Sequence, residues 1–156
     1  MEDESLHITR RHLPHWTING ATYFVTFRTR NGTLTVREQQ LTLEHLKEGN
    51  GKYYDLTAAV VMPDHVHLLL TPKEEYSLSR IMRGIKGASA RRINAMRHHP
   101  GPVWQHESYD RIMRDEDELL EKLEYMLNNP LKAGLTDDPH RYHGWYYDER
   151  GYSCRE

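Results

Sequence analysis

His65 and His67 stand one residue apart in His65-Val66-His67-Leu68-Leu69-Leu70, an apolar run with the composition of a buried strand. In an extended chain both imidazoles leave the same sheet face, about 7 Å apart at their backbones, while Val66, Leu68 and Leu70 take the other. Two such rings can converge on one cation. Paired histidines are also ordinary sheet residues. A cupin-like oxygenase would use His-x-His as well, but it needs further His and Glu ligands on a β-barrel.

Tyr125 is the second residue with chemical promise. Leu119, Leu120, Leu123, Met126 and Leu127 form an apolar stripe at helical spacing, and Tyr125 falls nearly opposite it, among Glu118, Glu121, Lys122 and Asn129. It is either a plainly exposed ring or a phenol projecting into a site. As a nucleophile it would share that site with Asn129, one turn on, whose amide oxygen could serve as a third metal ligand beside the histidines. Pro130 is expected to end the helix there. A free phenol has a pKa of about 10, so attack requires proton removal, and a metal on the scissile phosphate can neutralise the charge that develops. With no thiolate nearby, two imidazoles and an amide suit Mg²⁺ or Mn²⁺ only together with phosphate and water oxygens.

These residues need elements to hold them. Residues 22–28 alternate as a strand before a turn at Asn31-Gly32, and residues 36–48 carry Val36, Leu41, His45 and Leu46 at near-helical spacing. Residues 53–62 and 65–70 read as buried strands joined tightly through Pro63-Asp64, residues 77–96 as a second helix, 108–113 as a short strand and 115–128 as a third helix. In the second helix Leu78, Ile81, Met82, Ile85, Ser89, Ile93 and Met96 make one side, and Arg80, Arg83 and Arg91 the other. Gly84 and Gly87 weaken that helix by roughly 1 kcal/mol each, which is easier to understand if something packs closely against them. The order predicts an α+β, ferredoxin-like split β-α-β domain, an antiparallel sheet covered by helices, and argues against a barrel.

The 156 residues are the length of one domain, 1–156, with an accessory tail expected from about residue 136. With 37% apolar and 28% charged residues the composition is globular. No apolar run reaches the ~18 residues of a membrane helix, and Met1-Glu2-Asp3-Glu4-Ser5 is too acidic for a signal segment, so a soluble cytoplasmic protein with no membrane partner is expected. The single Cys154 excludes an internal disulfide or a multi-thiolate zinc site. A net charge of −2 argues at first against a nucleic-acid partner. The charge is uneven, however: residues 77–114 carry eight Lys and Arg against two acids, and residues 115–156 five against eleven. A basic segment can bind phosphates when the fold gathers it on one surface; otherwise it is a solvated helix face.

Taken together, Val60-Val61-Met62-Pro63-Asp64-His65-Val66-His67, Ile85-Lys86-Gly87, Val103-Trp104-Gln105 with Tyr109-Asp110, and Asn129-Pro130-Leu131-Lys132-Ala133-Gly134-Leu135 resemble the HUH single-tyrosine transposases, specifically those associated with repetitive extragenic palindromes. The resemblance spans about Thr22 to Leu135. It implies His65, His67 and Asn129 as ligands of Mg²⁺ or Mn²⁺ and Tyr125 as nucleophile, with Tyr109 as rival. It further implies cleavage and rejoining of single-stranded DNA near a hairpin through a 5′-phosphotyrosine, and it is compatible with a homodimer. Two other readings stay open. One is a non-catalytic hairpin-binding module that grips phosphates through Arg80, Arg83, Lys86, Arg91 and Arg92. The other is a small metal-dependent phosphodiesterase in which water attacks.

Overall fold

The computed structural model describes residues 20–148, so Met1–Ser5 and Cys154 lie outside the described residues. Along the chain come β1 (Tyr23–Thr29), α1 (Val36–Gly49), β2 (Tyr54–Val61), β3 (His65–Pro72), α2 (Leu78–Arg97), β4 (Trp104–Ile112), α3 (Glu116–Lys132), a 3₁₀ turn (Pro139–Arg141) and β5 (Trp145–Tyr147). The strands form one antiparallel sheet in the order β4-β1-β3-β2-β5. This is the split β-α-β sheet expected from the sequence, extended by a fifth strand.

Strand alternation divides the apolar residues between two faces. Val66, Leu68 and Leu70 of β3 join Val25 and Phe27 of β1 under α1 and α2, which contribute Leu43, Leu46, Ile81, Ile85 and Ile93. Leu69, Phe24, Ala58 and Val60 face the other way, against Leu119, Leu123, Met126 and Leu127 of α3. A register shift between Leu56 and Ala58 lets Leu56 and Ala59, three residues apart, face the same side. Each fully buried leucine contributes about 1.5–3 kcal/mol.

The helices start at side-chain caps. Thr35 and Glu38 make a reciprocal capping box on α1, Ser77 accepts from the Arg80 N–H, and Asp115 from the Glu118 N–H. Contrary to expectation, α3 does not stop at Pro130. Proline forfeits only the hydrogen bond its missing N–H would make, and the Ala133 and Leu135 N–H groups still close the end onto the Asn129 and Pro130 carbonyls.

Further differences follow from tertiary contacts. β4 begins at Trp104 rather than 108, because Trp104 is buried edge-on against Phe27 and its indole N–H donates to Ser89 Oγ at 2.9 Å. The apolar stripe expected on α1 is displaced: Val36 is exposed, while Glu38, Gln39 and Thr42 are buried beside Leu43 and Leu46. Met96, expected inside, is also exposed. The segment from residue 136 is stitched into the sheet. β5 pairs with β2, and Tyr142 is buried with its hydroxyl donating to the Val61 carbonyl at 2.8 Å. Gly144 permits this, since a Cβ there would collide with the Val61 carbonyl oxygen. No helix among the described residues is long and apolar enough to cross a membrane.

Glu38 ties α1 to the end of α2 through a bidentate pair with Arg97, at 2.7 and 3.0 Å. The hydrogen bonds from Arg97 are the main cause holding its carboxyl below the ordinary 4.5, against the opposing effect of burial. A depressed carboxyl stabilises the fold fully above the unfolded value, and that contribution disappears as pH falls through the folded one. Glu38→Gln should therefore cost about 1–3 kcal/mol in urea denaturation at pH 7. The difference from wild type should shrink as the pH is lowered below 4.5.

Candidate active site

β3 presents His65 and His67 on the face that α3 covers only in part. The helix packs toward β2, so its flank bearing Lys122, Tyr125 and Asn129 overhangs the sheet surface of β3, β1 and β4. Along one transverse row, Val60 of β2, His67 of β3, Thr26 of β1 and Tyr109 of β4 are register partners. Beneath the overhang opens a cleft of about 280 Å³ lined by Thr26, Arg28, His67, Tyr109, Lys122 and Tyr125, among others.

Each histidine is oriented through its Nδ1. His67, almost fully buried, shares a 2.7 Å hydrogen bond with Thr26 Oγ1, and its Nε2 is buried with no partner. A buried polar atom left unpaired calls for an explanation, and a bound group that it would ligate is one. His65 Nδ1 lies 2.7 Å from Asp64 Oδ1, and its Nε2 lies 3.0 Å from Asn129 Oδ1. Asp64 can only accept, which keeps the proton of neutral His65 on Nδ1 and leaves an Nε2 lone pair for a metal, and the Thr26 hydroxyl is able to accept from His67 Nδ1 in the same way. The two rings meet edge to face, with centroids 4.7 Å apart. Burial foremost, then the charges of His65, Arg28 and Lys122, push the His67 pKa down to about 3, so the ring is neutral at physiological pH, as a ligand must be.

Two imidazole nitrogens and an amide oxygen thus converge from β3 and α3, a donor set that fits a divalent cation completed by water or phosphate oxygens. Among the described residues no group of three or more His, Cys, Asp or Glu is gathered, so the third donor beside the two histidines would be the Asn129 amide oxygen.

The Tyr125 ring does not point away from the sheet as the helical wheel suggests. It sits edge-on to His67 at 5.4 Å and to Phe24 at 6.4 Å, and remains half exposed. Tyr109 lines the same cleft from β4, but two strands away from β3, roughly 10 Å across the sheet. Lys122 holds its ammonium over the Phe24 and Tyr125 rings, at 4.9 and 5.8 Å. Sequence reasoning missed Thr26, Arg28 and Lys122. Lys122 was visible as a neighbour of Tyr125 on the helix, whereas Thr26 and Arg28 join the site only through the β1–β3 register.

The basic residues of α2 lie on the opposite side of the sheet and do not enter the cleft. Arg80, Arg83 and Arg91 are exposed there. Lys86 instead donates to the His106 carbonyl at 2.8 Å, and Arg92 forms a bidentate pair with Glu48. Nor does anything pack against Gly84, where a Cβ would meet no atom within 4 Å, while at Gly87 only Arg91 Nη1 comes near, at 3.6 Å.

A ferredoxin-like sheet serves many activities, so its chemistry must be decided by more than fold. Residues 21–123 match the family described as IS200-like transposases, and the chain belongs to that family. It is a transposase of the tyrosine type, as its relatives are. A putative REP-associated tyrosine transposase of Haemophilus influenzae is 22% identical over 136 residues, covering 76% of this chain and 74% of the relative. The REP-associated tyrosine transposase of Escherichia coli K12 is 26% identical over 121 residues, covering 75% and 70%. The fold is also that of a solved REP-associated tyrosine transposase bound to a REP hairpin, with a TM-score of 0.65 at 22% identity over 93% of this chain and 82% of that one.

Thr26→Val keeps the shape of the side chain but leaves both nitrogens of His67 buried without partners. It should destabilise the protein by about 1–3 kcal/mol, measured by urea denaturation without added metal. A change within error would mean that the His67 ring is oriented by packing alone.

Proposed function

We propose that the cleft cleaves and rejoins single-stranded DNA beside a hairpin, with Tyr125 as the nucleophile and His65, His67 and Asn129 as the metal ligands. The buried, unpartnered Nε2 of His67, on a ring that meets Tyr125 edge to face, is the observation that carries this reading. The Tyr125 phenol oxygen bonds to phosphorus as the P–O3′ bond breaks. The strand with the free 3′-hydroxyl departs with a proton, and the 5′-phosphate stays on the tyrosine. Attack by a 3′-hydroxyl reverses the step, so no nucleotide cofactor is consumed.

Mg²⁺ or Mn²⁺ held by the three ligands would neutralise charge on the scissile phosphate. Lys122 and Arg28 add fixed positive charge at the mouth of the cleft. Tyr125 is preferred to Tyr109 because it touches His67 and rides on a capped helix that also carries Asn129.

The hairpin is held elsewhere, by the α2 face bearing Arg80, Arg83 and Arg91, and the scissile strand reaches the cleft around the β4 edge. Lys86 and Arg92, each engaged within the protein, would have to exchange those partners to contact phosphate, so the three free arginines carry most of this binding. Replacing all three with alanine should weaken hairpin binding and flatten the log-log salt dependence by about one unit per residue. Unchanged affinity and slope would show a merely solvated face.

Incubation with a labelled single-stranded hairpin and divalent metal should give an adduct that survives denaturant and retains the strand 3′ of the break. Tyr125→Phe should abolish the adduct while changing stability by no more than about 0.5 kcal/mol, since the ring is half exposed. An adduct that persists in Tyr125→Phe and is lost in Tyr109→Phe reassigns the nucleophile. Cleavage by the wild type without any adduct makes the protein a phosphodiesterase.

A further inference from the structure

A groove of about 380 Å³ lies between α1 and α2, on the sheet face turned away from the cleft. Its floor is apolar, made by Ile81, Ile85 and the buried face of Tyr54. Its wall is aromatic: Tyr53 and Tyr76 meet edge to face at 5.2 Å, and Tyr53 is half exposed. The Arg80 guanidinium lies over the Tyr76 ring at 5.0 Å, and no carboxylate among the described residues pairs with it. Glu48, the acid on the rim, is held by Arg92 at 2.6 Å and is thereby neutralised.

Two details mark the space as made for an occupant. Gly84 lies along the groove, and a side chain there would project into empty volume, so the helix keeps its least favourable residue short of proline with no protein atom to justify it. His45, on the opposite wall, has a buried Nδ1 with no hydrogen-bond partner. Burial, then the nearby Arg92, holds that ring toward its neutral form, which can offer a donor or an acceptor to a flat polar edge.

We propose that this groove binds one unpaired nucleotide of the DNA, its base against Tyr53 and Tyr76, its edge toward His45 and its phosphate on Arg80. The inference rests on the reading of the chain as a binder of hairpin DNA with single-stranded flanks. The groove is within the size of small-ligand sites. Aromatic rings with an unpaired arginine and one orphaned polar atom are the chemistry that recognises a splayed base, since stacking needs a π-face and accepts any of the four. Arg80 is also the first residue of the basic face, so a base seated here would continue a phosphate track that runs along α2 to Arg91.

The test uses the full chain and two fluorescent DNA probes of identical stem, one blunt and one with a flank of unpaired thymidines carrying a single 2-aminopurine. Wild type should bind the flanked probe more tightly and quench its 2-aminopurine. Gly84→Leu fills the groove with a better helix former, and its thermal midpoint should not fall below that of wild type. It should weaken binding of the flanked probe about tenfold, with the quenching lost and the weakening confined to that probe. Tyr76→Ala should do the same, and Tyr76→Phe should restore binding because the ring is kept. Equal affinity of Gly84→Leu and wild type for the flanked probe, or an equal loss on both probes, would overturn the proposal. Because the readout is binding, a wild-type protein that forms no covalent adduct strikes the catalytic reading and leaves this measurement standing.

Discussion

The hydrogen bond between Thr26 and His67, 2.7 Å across the β1–β3 pair, is the contact on which the site depends. It occupies Nδ1 of a ring that lines the cleft, and Nε2 is left buried without a partner. Nothing else in the vicinity satisfies that ring. Because side chains alternate with a period of two, the same register that sets Thr26 beside His67 also sends Val66 and Leu68 into the core beneath α1 and α2. A slip by one residue would bury neither set correctly. The apolar core and the chemical face are therefore specified by one alignment of strands.

That face is usable because α3 leaves half of it open. Its apolar stripe sits over β2 and β3, and the polar flank with Lys122, Tyr125 and Asn129 ends above the histidines. Polar residues also fasten the segment that follows α3. Gln39 Oε1, 3.1 Å from the Tyr142 hydroxyl, shares that single proton with the Val61 carbonyl and meets His143 Nε2 at 2.6 Å, tying the segment after α3 to α1. Burial pushes the Tyr142 hydroxyl up to about 12, so it remains a donor at any physiological pH. Such satisfied polar contacts cost little to bury, whereas either partner alone would be a liability.

Much of this was legible in the sequence where a local pattern carries it. Alternation around His65 and His67 put both imidazoles on one sheet face, and the α3 stripe set Tyr125 apart from the core. The missing parts are those decided between elements. β4 is an exposed edge strand whose polar residues hide its pairing, and its start depends on Trp104 reaching Ser89. α1 buries Glu38, Gln39 and Thr42, which no hydrophobic pattern would select, because each finds a partner after folding. Pro130 reads as a stop, yet it lies so near the helix end that one lost hydrogen bond suffices to accommodate it. The distance between the basic face of α2 and the cleft was also invisible, since charge along a chain says nothing about which side of a sheet a helix covers.

The metal-binding capacity of His65, His67 and Asn129 is open to direct measurement. Titrating the protein with Mn²⁺ and following the free ion by electron paramagnetic resonance measures it without any DNA. Wild type is expected to take up one ion per chain, and His67→Ala, still cooperatively folded, to lose that uptake. Undiminished binding of one ion by His67→Ala would contradict the assignment of the unpartnered Nε2 as a ligand.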